Sequence, residues 1–103
     1  MARLLVIYRT PKDAAAFDRY YADAHVPLAK NLPGLRSYEI SRGPVAAPVG
    51  GASGVHLVAS LGFDSVEAIG AALASPEGKA AAGNLANFAD GGVDLYTFET
   101  ADA

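Results

Sequence analysis

No cysteine occurs among the 103 residues of this chain. That absence removes disulfides, thiol nucleophiles and zinc–thiolate sites together. Long apolar stretches are also missing, and none approaches the ~20 residues that span a bilayer. Arg3 followed by LLVIY has the outline of a signal-peptide start, but the apolar run is five residues long and polar RT-PKD follows at once, too short for a secretory core. Basic residues are scarce and scattered: eight Lys and Arg against eleven Asp and Glu, for a net charge of −3. Nothing in that distribution suits phosphate backbones or anionic lipid. We therefore expect a soluble, cytoplasmic protein with neither a nucleic-acid nor a membrane partner.

What the chain does have is alanine. Its hydrophobic fraction is 51%, but 22 of the residues are Ala, which fill little volume. One domain, residues 1–103, is expected. A chain of this size buries only about two-thirds of the surface that its unfolded form exposes, so a thin core that gains from association follows.

Residues 3–9, RLLVIYR, read as a buried strand stopped by Thr10-Pro11. Asp13 is placed to cap a helix running to about Leu32, and Pro27 inside it removes a backbone donor and predicts a kink beside His25. Pro33-Gly34 ends that helix. A second strand is expected over 35–42, a long flexible loop over 43–54 and a third strand over 55–63. Asp64 and Glu67 are spaced as the start of a capping box for a second helix to about Ala74, and Ser75-Pro76 restarts it as far as about Ala89. Residues 93–100 close the chain as a fourth strand. The order β-α-β-β-α-β, with its second helix split, is an α+β ferredoxin-like plait: one antiparallel sheet with helices on one face. The bare face of such a sheet is expected to meet another sheet, giving a homodimer.

A helix turns about 100° per residue, so Phe17, Tyr21, His25, Leu28 and Leu32 fall on one stripe. Putting an imidazole and a phenol on a packing face costs desolvation unless each finds a partner. His25 is thus read either as a general base or acid, or as a core histidine tied to a backbone carbonyl near the Pro27 kink. Tyr38 follows the helix by a short turn and is read as a donor to a substrate carbonyl or developing oxyanion, or as a core or interface aromatic. Period-two alternation groups Leu5, Ile7, Leu57, Ala59 and Leu61 on one sheet face, and Val6, Tyr8, His56, Val58, Tyr96 and Phe98 on the other. Tyr8, Tyr21, His56 and Phe63 are the expected substrate-binding residues, each with a plain structural reading beside it. Two histidines with no carboxylate at ligand spacing argue against a metal, and no cofactor is expected. Gly50-Gly51 lacks the Lys-Ser/Thr pair of a phosphate loop.

The segment FDRYYADAHVPLAKNLPGLRSY, followed by GFDSVEA and SPEG, resembles the EthD family, named for ethyl tert-butyl ether degradation. The resemblance extends over nearly the whole chain. It implies a dimeric α+β barrel in which two plaits join through their sheets, with His25 of HVPL and Tyr38 of LRSYEI as site residues. Relatives of that architecture include cofactor-free monooxygenases, lactone isomerases and polyketide cyclases or dehydratases. The function expected from residues and resemblance together is cofactor-free proton transfer, as an isomerase or lyase, on a small cyclic or aromatic carbonyl compound. His25 would shuttle the proton, Tyr38 would hold the oxygen, and the 43–54 loop would cover the mouth. A cofactor-independent monooxygenase acting on a phenol, and a non-catalytic binding or accessory protein, are the alternatives.

Overall fold

A computed structural model describes all 103 residues, Met1 to Ala103. Strand β1 (Ala2–Arg9) leads to α1 (Ala14–Tyr20), a π-helical turn (Tyr21–His25) and α2 (Val26–Lys30). Strand β2 (Ser37–Ile40), a short hairpin of β3 (Ala46–Ala47) and β4 (Gly51–Ala52), and β5 (Val55–Phe63) follow. Helices α3 (Val66–Ala74) and α4 (Pro76–Asn84), a 3-10 turn over Leu85–Asn87 and β6 (Val93–Glu99) complete the chain. The four long strands form one antiparallel sheet in the order β2-β5-β1-β6. This is the α+β ferredoxin-like plait that the order of elements predicted, with the second helix split at Ser75. No helix is long and apolar enough to cross a membrane.

Local chemistry accounts for most element ends. Asp13 accepts from the Ala16 N–H at 3.0 Å, and Ser75 accepts from the Gly78 N–H at 3.0 Å with Pro76 in the first turn. Gly34 turns the chain after Pro33 with φ +80°, a left-handed conformation that favours glycine. Gly78 lets α4 start tightly against α3: a Cβ there would strike the Ala72 carbonyl oxygen. Asp64 is not a cap as the spacing suggested. Ser65 takes that place, accepting from the Ala68 N–H at 3.0 Å, while Asp64 receives both Nε and Nη2 of Arg36 at 3.1 and 2.9 Å. The 43–54 segment, expected to be a plain loop, carries the two-residue ladder of β3 and β4.

The irregularity expected at Pro27 takes the form of a π turn immediately before it. The Val26 N–H reaches back to the Tyr21 carbonyl, five residues earlier. The extra residue in that turn rotates everything after it, so Ala29 rather than Leu28 continues the buried stripe of Phe17, Tyr21, His25 and Leu32.

Register corrects the expected sheet faces. Tyr8 stands opposite Leu57, Val6 opposite Ala59 and Leu4 opposite Leu61, while Tyr38 of β2 also faces Leu61. Directly opposed residues share a face, so Tyr8 and Val6 lie with Leu57, Ala59 and Leu61, all buried under the helices. Leu5 opposes Tyr96 and Arg3 opposes Phe98 on the open face, and Ile7 opposes Val58 there. Alternation orders residues within one strand; only the pairing register aligns one strand with the next. His56 departs from alternation for a further reason. The register slips between Tyr8 and Arg9, whose partners are Leu57 and Val55, leaving His56 as the extra residue of a β-bulge. Such a bulge re-aims a side chain, and His56 reaches the helix side, against Phe17 and Asp18.

Candidate functional site

Beneath the helices the core is a cluster of rings. Phe88, just beyond the 3-10 turn, has its ring centre 4.8 Å from that of His25, 5.6 Å from Tyr8 and 5.2 Å from Phe17. Tyr8 meets Phe17 and Tyr21 edge to face at 5.4 and 5.5 Å, the arrangement that ring quadrupoles favour. The π turn places Tyr21 and His25 on this cluster one turn apart, their ring centres 5.4 Å from each other.

His25 is buried, and its two nitrogens do different things. Nδ1 lies 2.9 Å from Asn84 Oδ1, and the Asn84 amide nitrogen donates to the Tyr20 hydroxyl at 2.9 Å. Asn87 donates to the same hydroxyl at 3.2 Å. With the Asn84 amide oriented this way, Nδ1 carries the proton and donates it to Asn84, leaving the lone pair on Nε2. That nitrogen has only the Tyr8 hydroxyl, at 3.5 Å, the outer limit of a hydrogen bond. Burial lowers the imidazole pKa from its ordinary value, against a smaller upward pull from Asn84. The ring is therefore neutral at neutral pH, with one nitrogen anchored and the other lightly engaged. The partner is a side chain of α4, not the backbone carbonyl that a structural histidine was expected to find.

The Tyr21 and Tyr38 hydroxyls are 2.5 Å apart. Burial raises the pKa of both phenols; for Tyr21 the bond and proximity to Tyr38 add to the rise, and for Tyr38 the bond opposes it. Tyr8 is raised as well, by burial first and then by Tyr38. All three stay protonated at neutral pH and can donate to an oxygen whose charge develops nearby. No buried side-chain nitrogen or oxygen lacks a hydrogen-bond partner, so the desolvation of this polar stripe is offset within the network.

Tyr8, Tyr21, His25 and Tyr38 line one apolar cavity of about 40 Å³, together with Leu4, Leu32 and Leu61 and with Ala81, Ala82 and Leu85. Four of the six residues singled out from the sequence thus come together. Two do not. Phe63 is fully buried at the end of β5, opposite Ala2. His56 lies in a separate cleft, its Nε2 2.7 Å from Asp18 Oδ1. The loop residues Gly43, Pro44 and Val45 line that second cleft and not the His25 cavity, so the loop does not cover the mouth assigned to it. Asn84, Tyr20 and Phe88 join the site unannounced as functional residues. An asparagine inside an alanine-rich helix, where it is a poor helix former, was the available signal. No group of three or more His, Asp or Glu side chains converges to hold a metal.

Residues 9–92 match the EthD domain family. An uncharacterised 11.0 kDa protein of Rhodococcus erythropolis, encoded in the thcB–thcC intergenic region, is 40% identical over 100 residues, which are 96% of this chain and 95% of that protein. The crystal structure of an EthD family protein from Bacillus halodurans superposes with a TM-score of 0.88 at 33% identity, covering 98% of this chain and 99% of that one. Two more distant structures share the fold. SnoaB, a cofactor-independent oxygenase from Streptomyces nogalater, has a TM-score of 0.68 at 17% identity, over 99% of this chain and 94% of its own. A dimeric ferredoxin-like protein of unknown function from Thermobifida fusca has 0.69 at 15%, over 96% and 90%.

Proposed function

Because the chain belongs to the EthD family, we propose that it binds a small cyclic or aromatic carbonyl compound and moves a proton on it without a cofactor, as an isomerase or lyase. The observation that carries this reading is the His25 Nε2 lone pair, held at the wall of an apolar cavity by a neutral ring whose other nitrogen is fixed by Asn84. Nε2 takes a proton from the carbon beside the carbonyl, and the electron pair moves onto the carbonyl oxygen. Tyr38, backed by Tyr21, donates a hydrogen bond to that oxygen. The imidazolium then returns the proton to another carbon in an isomerisation, or to a departing hydroxyl in a dehydration. A base of lowered pKa is a weak one, so the phenols carry much of the stabilisation; a single such donor is worth about 2.7–4 kcal/mol.

Space is the constraint. A cavity of about 40 Å³ holds about one water, whereas small-molecule pockets run to about 300–1,000 Å³. Substrate entry therefore requires α4 to move outward, and its wall of Ala81 and Ala82 offers little apolar surface to resist. The same small volume is the observation that favours the second reading, a non-catalytic binding or accessory protein. Turnover of small cyclic ketones and lactones in deuterium oxide separates the possibilities. The proposed chemistry places deuterium beside the carbonyl and consumes no oxygen. Oxygen uptake without exchange would instead assign a monooxygenase, and neither event with any compound would leave the accessory role.

The proposal includes a homodimer through the open sheet faces, each carrying Leu5, Ile7, Val58, Tyr96 and Phe98 in one apolar area. Tyr96 and Phe98 are 55% and 42% exposed, and an apolar patch of this kind marks an interface. Tyr96→Asp puts a charge opposite Leu5 on that contact. Sedimentation is expected to show a dimer for the native chain and a folded monomer for the variant. A native monomer would contradict the arrangement.

A further inference from the structure

The largest hollow in the molecule is not the His25 cavity. It is a cleft of about 670 Å³ lined by Asp18, Tyr21 and Val26 of the first helical segment, by Arg42 and Val45 after β2, and by Leu57 of β5. That volume falls in the range of small-molecule pockets. Half of its fourteen lining residues are hydrophobic, and the polar ones are Thr10, Asp18, Ser41, Arg42 and His56.

Three features give the cleft a chemistry of its own. Arg42 forms no ion pair, whereas Arg9 and Arg36 are matched with Asp94 and Asp64. An uncommitted guanidinium is a planar fork suited to a carboxylate. His56 is brought to the cleft by the β-bulge opposite Tyr8 and Arg9, a local departure from regular pairing that aims one side chain. Its ring is then held edge-on to Phe17 at 4.9 Å and by its Nε2, 2.7 Å from Asp18. Asp18 accepts hydrogen bonds and repels anions, so a bound carboxylate belongs at Arg42 and a hydrogen-bond donor at Asp18.

We propose that this cleft binds a hydroxylated organic acid with a flat apolar body, its carboxylate on Arg42 and its hydroxyl donating to the Asp18–His56 pair. The site is distinct from the His25 cavity and does not rest on the chemistry proposed there. Tyr21 borders both hollows, so a ligand in the cleft abuts the phenol that bonds Tyr38.

Para-hydroxybenzoate and its uncharged amide, para-hydroxybenzamide, are the probes, titrated against the full chain by isotope-edited NMR. The acid is expected to bind saturably at millimolar concentration and about tenfold more tightly than the amide, the usual scale of one charged hydrogen bond. Its shifts are expected at Val45, His56 and Leu57. Arg42→Gln, at an exposed position that leaves the core untouched, should remove the preference for acid over amide. Asp18→Asn should weaken para-hydroxybenzoate relative to benzoate. Equal affinity for acid and amide, unchanged binding in Arg42→Gln, shifts centred on His25 and Leu85, or no saturable binding would each overturn the proposal. None of these outcomes bears on deuterium exchange at His25, so the two readings fail separately.

Discussion

Replacing His25 by glutamine should lower turnover of a true substrate by about 10²–10⁴-fold, the usual contribution of a positioned general base. Glutamine keeps a hydrogen-bonding end for Asn84 and much of the buried volume, so the fold is expected to persist. Circular dichroism and sedimentation would check that. The same residue sets a pH dependence. Burial holds the imidazole pKa below its ordinary 6.5, so the base stays unprotonated through neutral pH and activity should decline only on the acid side of 6.5. Stability carries the same signature. Between the folded value and 6.5 the unfolded chain binds more protons than the folded one, so stability rises with pH across that window. Acidification through it therefore destabilises the native protein, and in His25→Gln that part of the loss should vanish. A variant that turns over substrate at the native rate would remove His25 from the mechanism.

Phe88→Ala is expected to cost about 3–5 kcal/mol of folding stability, the range for deleting a buried aromatic ring. Phe88 packs on five rings, those of Tyr8, Phe17, Tyr20, Tyr21 and His25, with centres 4.8–5.9 Å away. The surrounding rings are already packed against one another, so little side chain is free to refill that space. Domains of this size are stable by about 5–15 kcal/mol, so the variant loses a large share of its margin. Urea denaturation gives the value directly. A loss below about 1 kcal/mol, typical of a surface change, would mean that the ring cluster does not hold α4 and the 3-10 turn to the sheet. The variant should also let water reach His25 and return its pKa toward the ordinary value, since desolvation is the main cause of the lowering.

Local signals carried the fold a long way. Asp13, Ser75-Pro76 and Pro33-Gly34 mark element ends through contacts made within a few residues, and short-range chemistry is written in consecutive letters. The order β-α-β-β-α-β followed from them. The stripe containing Phe17, Tyr21 and His25 was likewise legible, because helical period depends on the backbone alone. Leu28 was misplaced because nothing in the local letters distinguishes a kink at Pro27 from a π turn before it.

Contacts between distant segments were decided elsewhere. Asn84 meets His25 across 59 positions of sequence, and Tyr38 meets Tyr21 across 17; neither pairing has a local signature. The faces of the sheet turned on whether Tyr8 opposes Leu57 or its neighbour, a choice of one residue that inverts every side chain. One bulge then turned His56 from the open face to the helix side, where it lines a cleft separate from the His25 cavity. Consecutive letters were enough to assign the helix and strand segments and to show which polar rings would need partners under the first helix. Tertiary structure alone decided which partners those were, since register and packing are set by the cooperative fit of all the strands and helices at once.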